Sequence, residues 1–163
     1  MDVRAAVYAG VAAGIFSTII EIALWLVFSD AFPAILFRDA RLAAAIVTGR
    51  GALAPPASFD WHVTLVATLV HFALSIFYGL ILSWLISRLI SRPVAPVSAI
   101  VGAAFGMMLY AVNMYGFTVV FPWFDAARDW ITATAHVVFG ITVALVYKML
   151  SQRQSVDALH RRR

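Results

Sequence analysis

Cysteine is absent from the 163 residues of the chain, and charged residues make up only 12% of it. The first absence excludes disulfides, thiolate metal sites and thiol catalysis. The scarcity of charge leaves a composition that is 63% hydrophobic, with a mean hydropathy of +0.92. A soluble domain of this length cannot bury so much apolar surface, so we expect the chain to lie in lipid.

The sequence also lacks the motifs that mark common enzymes. It contains no Walker loop, GxSxG elbow, HExxH pair or glycine-rich dinucleotide turn. We therefore expect no enzyme activity and no catalytic residue. The pI near 10.0 reflects basic residues that membrane topology accounts for, so we expect no nucleic-acid partner.

Four apolar runs are each long enough to span a bilayer, which takes about 20 residues. They cover approximately Ala5–Phe28, His62–Ile86, Val97–Val120 and Ile131–Leu150. Between the first two runs, Ala34–Thr48 has the pattern of an amphipathic helix. The sequence thus predicts an all-α membrane protein with one domain, residues 1–163, four unbroken spans and one interfacial helix.

One spacing of small and polar residues occurs twice, with every position shifted by 92 residues. The first copy is Gly10, Gly14 and Glu21, and the second is Gly102, Gly106 and Asn113. Glycine pairs of this kind let membrane helices approach closely, so they predict that spans one and three adjoin, or that two copies of the chain do. The recurrence predicts two parallel-related helical hairpins about a pseudo-two-fold axis along the membrane normal.

Polar side chains lie at similar depth in all four spans. A carboxylate such as Glu21 costs about 3 kcal/mol inside a span, so it must be protonated, paired or hydrated. Asn113 has the equivalent position in span three, and His71 and His136 lie within about 6 Å of that depth in spans two and four. We expect these four to form an intramembrane polar cluster. Further side chains that could extend it are Thr18, Thr68, Tyr110, Tyr115, Thr132 and Thr134.

Three interpretations of the cluster remain open. It could lock the helices together by hydrogen bonds, exchange protons or hold a cation, or bind a divalent metal or haem through His71 and His136. We expect no cofactor, with haem or a divalent metal as the open alternatives. Asp39 interrupts the apolar stripe of the amphipathic helix, where it could pair with a neighbouring arginine or act as a lid aimed at the bundle mouth.

The basic residues predict the orientation. Eight of them lie on the presumed inner side, including Arg161–Arg163, and four on the other. The positive-inside rule then places both termini in the cytoplasm and Ala34–Thr48 on the periplasmic face. The five tryptophans, at positions 25, 61, 84, 123 and 130, fall near the proposed ends of spans, where an indole N–H stays hydrated.

Three stretches resemble small four-helix inner-membrane proteins of Gram-negative bacteria. They are Leu36-Phe-Arg-Asp-Ala-Arg-Leu42, Leu65-Val-Ala-Thr-Leu-Val-His-Phe-Ala-Leu74, and Phe121-Pro-Trp-Phe124 with Trp130-Ile-Thr to His136. That family has no characterised activity, and some of its members are labelled sodium:proline symporters. Four unbroken spans fall far short of a transporter with inverted repeats. The resemblance implies topology and an inner-membrane location, and it carries over no catalytic residue.

For function, the sequence slightly favours a non-catalytic membrane subunit or assembly protein. The alternative is a small carrier or sensor in which Glu21 and His71 exchange protons or hold a cation, with Asn113 and His136 as second-half partners. The expected partners are membrane lipid and either a second copy of the chain or another membrane protein.

Overall fold

The computed structural model describes residues 1–89 and 94–160, with side chains described as far as Gln152. Within this part the chain is helical and contains no strand. The side chains of Arg92, Arg153 and Arg161–Arg163, which carry part of the predicted orientation, lie outside the described residues. The all-α fold class is confirmed.

Five long helices make up the fold. They are α1 (Val3–Phe28), α2 (Ala34–Thr48), α3 (Trp61–Leu89), α4 (Ala95–Ala111) and α5 (Trp130–His160). Four helical stretches are long and apolar enough to cross a membrane: Val3–Phe28, Trp61–Leu89, Ala95–Val119 and Trp130–Gln152. The prediction of four such helices is confirmed, and α2 covers the range that its amphipathic pattern indicated.

Local capping explains where three of the helices begin. The Asp2 carboxylate accepts a hydrogen bond from the Ala5 amide at 3.1 Å and so caps α1. At the start of α3, Asp60 accepts from the amides of the next turn, and Asp129 accepts from the Thr132 amide at the start of α5. An aspartate in this position satisfies backbone N–H groups that have no partner inside the helix.

The third span is helical but irregular. Regular α-helix ends at Ala111, a π-helical turn covers Val112–Gly116, and a 3-10 turn covers Phe117–Val119. The helix nevertheless continues without a break from Ala95 to Val119, so the third span is unbroken, as predicted. Asn113 lies inside the π turn, a feature that often occurs at functional sites because it redirects side chains from the regular helical repeat.

The described helices do not pack evenly around an axis. α5 packs closely on α4 and on α1, α1 also packs on α3, and α3 touches α4 only slightly. Small residues on α1 permit its close contacts, since Ala5, Ala6, Ala9 and Ala13 are all fully buried. The bundle is therefore held mainly through α1 and α5, and the α3–α4 side is its loosest seam.

The first glycine pair faces α3. A Cβ atom on Gly10 would lie 2.7 Å from the Ser75 carbonyl oxygen and 3.0 Å from the Ile76 Cα. A Cβ on Gly14 would lie 2.8 Å from the Ser75 hydroxyl and 3.2 Å from the His71 Nε2. These glycines thus form the notch into which the antiparallel neighbour α3 packs.

The second glycine pair faces α5. A Cβ on Gly102 would collide with the backbone of Gly140 and Ile141, and one on Gly106 with the backbone of His136. The prediction that spans one and three adjoin across these glycines is therefore wrong. A glycine pair in the sequence indicates that some helix approaches closely, but it contains no information on which helix does so.

The tryptophans differ in their surroundings. Trp61, Trp84 and Trp130 are about half exposed, as expected of side chains at a membrane surface. Trp25 is only 2% exposed, and its indole N–H has no hydrogen-bond partner among the described residues. The prediction of a hydrated indole is wrong for Trp25, because this side chain packs into the bundle.

Candidate functional site

The two connections at the α2 end of the bundle pack on each other. Leu42 of α2 forms a small apolar cluster with Met114 and Ala127, and the Trp123 indole N–H donates to the Leu42 carbonyl at 3.1 Å. Arg41 Nη1 donates to the Ala52 carbonyl at 3.0 Å, which ties the following loop to α2. α2 is thereby held across the end of the bundle.

Beneath α2 lies a cavity of about 220 Å³. The four polar residues singled out from the sequence all line it, together with Asp39 of α2: Glu21, His71, Asn113 and His136. Residues from α1, α3, α5 and the π turn therefore meet around one space, and the face of α2 closes one side of it. The sequence located the residues at one depth, and the structure brings them to one cavity.

The second-half residues form a direct pair. His136 Nδ1 lies 2.8 Å from the Thr132 carbonyl oxygen, which can only accept, so Nδ1 carries the proton. Nε2 is then the acceptor for the Asn113 Nδ2 amide, 3.2 Å away. This orientation leaves the Asn113 Oδ1 to accept from the Tyr78 hydroxyl at 3.0 Å. All three bonds are mutually consistent with a neutral imidazole.

The first-half residues do not pair with each other. The His71 Nε2 lies 3.3 Å from both the Gly14 carbonyl oxygen and the Thr18 hydroxyl. Among the described residues, no hydrogen bond joins His71 to Glu21. Glu21 and His71, the predicted exchange pair, are therefore not in direct contact by a hydrogen bond, and His71 interacts with Gly14 and Thr18 of α1 instead.

Glu21 accepts one hydrogen bond, from the Thr132 hydroxyl at 3.3 Å. The two ion pairs found in the described part of the chain, Arg38–Asp39 and Arg128–Asp125, do not include it. A carboxylate has room for about four hydrogen bonds. The Glu21 carboxylate consequently has unused capacity to accept hydrogen bonds.

Asp39 pairs with its neighbour Arg38 and also lies in the cavity wall. Its Oδ1 accepts from Arg38 Nε at 2.6 Å, and its side chain also lines the cavity. Burial raises the pKa of the Asp39 carboxyl above its ordinary value, although the adjacent Arg38 guanidinium acts in the opposite direction. Asp39 thus brings a second carboxylate to the cavity, on the helix that covers it.

Some of the additional candidates belong to the site and others do not. Thr18 and Thr132 contact His71 and Glu21, and the Tyr110 ring packs edge-on against His136 with centroids 5.7 Å apart. Three candidates interact elsewhere: Thr68 donates to the Thr64 carbonyl, Thr134 to the Trp130 carbonyl, and Tyr115 lies under the Arg128 guanidinium.

Tyr78, which lines the cavity and donates a hydrogen bond to Asn113, was not among the predicted site residues. A signal for it was present, because Tyr78 follows His71 by seven residues and therefore lies on the same face of α3. Ser17 and Ser75 of the cavity wall were also missed. Their hydroxyls occur in long apolar runs, where serine commonly satisfies itself on the helix backbone, as Ser17 does with the Gly14 carbonyl.

Metal and haem fit the cavity poorly. Among the described residues no three His, Cys, Asp or Glu side chains are close enough to hold a metal ion. Both nitrogens of His136 are in hydrogen bonds, so axial ligation would have to break one of them. At about 220 Å³ the cavity is also smaller than the 300–1,000 Å³ typical of sites for drug-sized molecules.

Comparison with known proteins adds no relative to this description. The chain matches no family model, no curated protein and no solved structure.

Proposed function

We propose that the protein is a small proton- or cation-handling carrier or sensor, and that the cavity beneath α2 is its site. The observation that supports this proposal is the sparse hydrogen bonding of the Glu21 carboxylate. Its carboxylate lies in a membrane-spanning helix, faces a cavity, and has one neutral hydrogen-bond donor. Such a group is costly in a membrane unless it takes up a proton or a cation.

The competing interpretation is a non-catalytic subunit in which the polar groups only lock the helices together. Groups with that single role are expected to close on one another, as Asn113 and His136 do. Glu21 and His71 do not bond each other: Glu21 accepts a single hydrogen bond, from the Thr132 hydroxyl, and His71 lies against Gly14 and Thr18. This difference favours the carrier or sensor over the subunit.

We further propose that α1–α3 and α4–α5 are two parallel-related hairpins from an internal repeat. The contacts of the glycines support this. Gly10 meets Ser75 and Ile76, and Gly102, 92 residues further on, meets Gly140 and Ile141, each 65 residues further on. In the same correspondence, Thr18 contacts His71 and Tyr110 contacts His136.

The proposed location is a bacterial inner membrane with both termini cytoplasmic and α2 on the periplasmic face. The distribution of basic residues and the resemblance to small four-helix inner-membrane proteins support it. The apolar outer surface is proposed to contact lipid and either a second copy or another membrane protein. A reporter fused at Gly51 that registers as cytoplasmic would overturn this orientation.

The proposed uptake of a proton or cation can be tested on the wild-type Glu21 side chain. Glu21 is the only glutamate in the chain, so glutamate labelled with ¹³C at its δ-carboxyl gives a single carboxylate signal in the wild-type protein. In lipid nanodiscs, we expect this signal to shift reversibly with pH between about 5 and 9, with sodium or potassium, or with both. The shift measures proton or cation uptake at Glu21 directly.

A signal that stays unchanged over this pH range and with both cations would contradict the proposal and leave the subunit interpretation. Asp30→Asn is the matched control, because Asp30 is an exposed carboxylate outside the cavity. We expect this variant to leave the Glu21 titration unchanged.

A further inference from the structure

The cavity has an excess of hydrogen-bond acceptors. Tyr78, Asn113, His136 and Thr132 form a continuous set of hydrogen bonds that ends on Glu21. The Tyr78 hydroxyl, the His136 Nδ1–H and the Thr132 hydroxyl are all used as donors within that set. What remains open toward the cavity is the acceptor capacity of the Glu21 carboxylate. A ligand that fits this surplus donates hydrogen bonds and carries positive charge.

The second carboxylate of the cavity strengthens the same preference. Asp39 faces the space from α2, and Arg38, its ion-pair partner, is absent from the cavity wall. Within the described part of the chain, the wall thus contains two carboxylates and no lysine or arginine. An anion would meet two carboxylates here, of which only Asp39 is paired with a cation, whereas a cation would interact favourably with both.

The other residues of the cavity wall indicate which kind of cation fits the cavity. Leu74, Leu109 and Ile46 line the cavity together with the aromatic rings of Phe124 and Phe139. A hydrated metal ion needs polar ligands around its whole surface, and no group of three His, Cys, Asp or Glu among the described residues offers them. An alkylammonium ion needs polar contacts at one end only, and its carbon chain and charge both interact well with aromatic rings.

We propose that the cation of this site is a small alkylammonium ion, with its ammonium group on the Glu21 carboxylate, its carbon chain against Leu74, Leu109 and Phe139, and α2 as a lid that adds Asp39. This inference rests on the proposed function and names its ligand class. The cavity volume of about 220 Å³ sets the size, which suits an amine of a few carbon atoms better than a drug-sized molecule. Because Asp39 lies on α2, ligand binding also favours the docked position of that helix.

Propylammonium chloride is the probe, added to the ¹³C-glutamate protein in nanodiscs at constant pH and ionic strength in a buffer that contains no amine. We expect a saturable shift of the Glu21 signal. A saturable rise in the thermal midpoint should accompany it, because a ligand of the folded state stabilises that state. Neutral 1-propanol, which has the same carbon chain without the charge, should produce neither effect.

Two variants assign the effect to the cavity. Asp39→Asn should weaken propylammonium binding several-fold, because it removes one of two favourable charges. Glu21→Gln should weaken it by at least about ten-fold, equivalent to 1.4 kcal/mol. Asp30→Asn is the control and should bind as the wild type does. If Glu21→Gln does not fold, the shift of the Glu21 signal in the labelled wild-type protein is sufficient to test the inference.

Three results would overturn the inference and leave the proposed function standing. They are a Glu21 signal that responds to pH and not to propylammonium, an equal response to sodium or potassium at the same concentration, and an equal response to 1-propanol. A Glu21 signal that responds to none of these would overturn the proposed function as well. Unchanged binding by Glu21→Gln would place the ammonium group elsewhere and also refute the inference.

Discussion

The two halves of the molecule carry related polar residues in different states. In the α4–α5 half, Asn113 bonds His136 directly, with 3.2 Å between Nδ2 and Nε2. In the α1–α3 half, the residue 92 positions earlier in the sequence is Glu21, and no hydrogen bond joins it to His71 among the described residues. An amide has both a donor and an acceptor, so Asn113 can satisfy a neutral imidazole and accept from Tyr78 together. A carboxylate can only accept hydrogen bonds, so Glu21 still lacks a proton or cation that would balance its charge.

The halves also differ in how closely their helices approach. Gly106 faces the backbone of His136, whereas Gly14 faces the side chains of Ser75 and His71. Backbone atoms in contact cannot move away without a shift of the whole helix, whereas side chains can rotate to make room. Beside the cavity, the contact of Gly106 with α5 is therefore the rigid one and the contact of Gly14 with α3 can adjust, although Gly10 also lies against the α3 backbone.

Alanine substitution of Gly106 and Gly14 tests this difference between the halves, and we expect it to have the largest effect on stability. We expect Gly106→Ala to cost about 3 kcal/mol of stability and Gly14→Ala about 1 kcal/mol, because only the former drives a methyl group into fixed backbone. Denaturation of the purified protein in mixed detergent measures both. Gly51→Ala, where an added Cβ would meet nothing within 4 Å, should be neutral. Equal losses at Gly106 and Gly14 would remove the proposed difference in rigidity.

Removal of one hydroxyl from each half should have a smaller effect on stability, and it tests whether the two hydroxyls influence Glu21 differently. Tyr78→Phe deletes the donor to Asn113, and we expect a loss of about 1 kcal/mol without a change in the Glu21 ¹³C signal. Thr132→Val deletes the donor to Glu21, and we expect a loss of about 0.6 kcal/mol together with a clear shift of that signal. A Glu21 signal that moves equally in both variants would mean that the hydrogen bonds between Tyr78 and Glu21 respond as one unit.

The smallest expected effect concerns Asp39 and the lid. Its folded-state pKa is raised by burial, so the folded protein holds this proton more tightly than the unfolded chain does. Stability contributed by the protonated form is full below the ordinary aspartate pKa and is lost as the pH rises toward the raised value. We expect the thermal midpoint to fall across this window, and Asp39→Asn to flatten the fall. An identical pH profile in the variant would show that another group causes it.

Much of the architecture was predictable from the residues alone. Long apolar runs leave the backbone no choice but helix in lipid, and Gly49, with its positive φ, ends α2 where the amphipathic pattern stops. The depth of a residue follows from its distance along a helix, so the polar groups could be assigned to one level. The π turn at Val112–Gly116 could not be foreseen, since its sequence has no proline and its polar Asn113 is compatible with a regular helix.

By itself, the sequence determined the number of spans, the range of α2, the single glutamate and the depth at which the polar side chains meet. These are properties of one helix at a time, set by hydropathy and by the rise per residue. Only the tertiary structure decided that the glycines face α3 and α5, that Trp25 is buried, and that Tyr78 bonds Asn113. Such contacts depend on how each helix is rotated against its neighbours, and that rotation is chosen by the packing of the whole bundle.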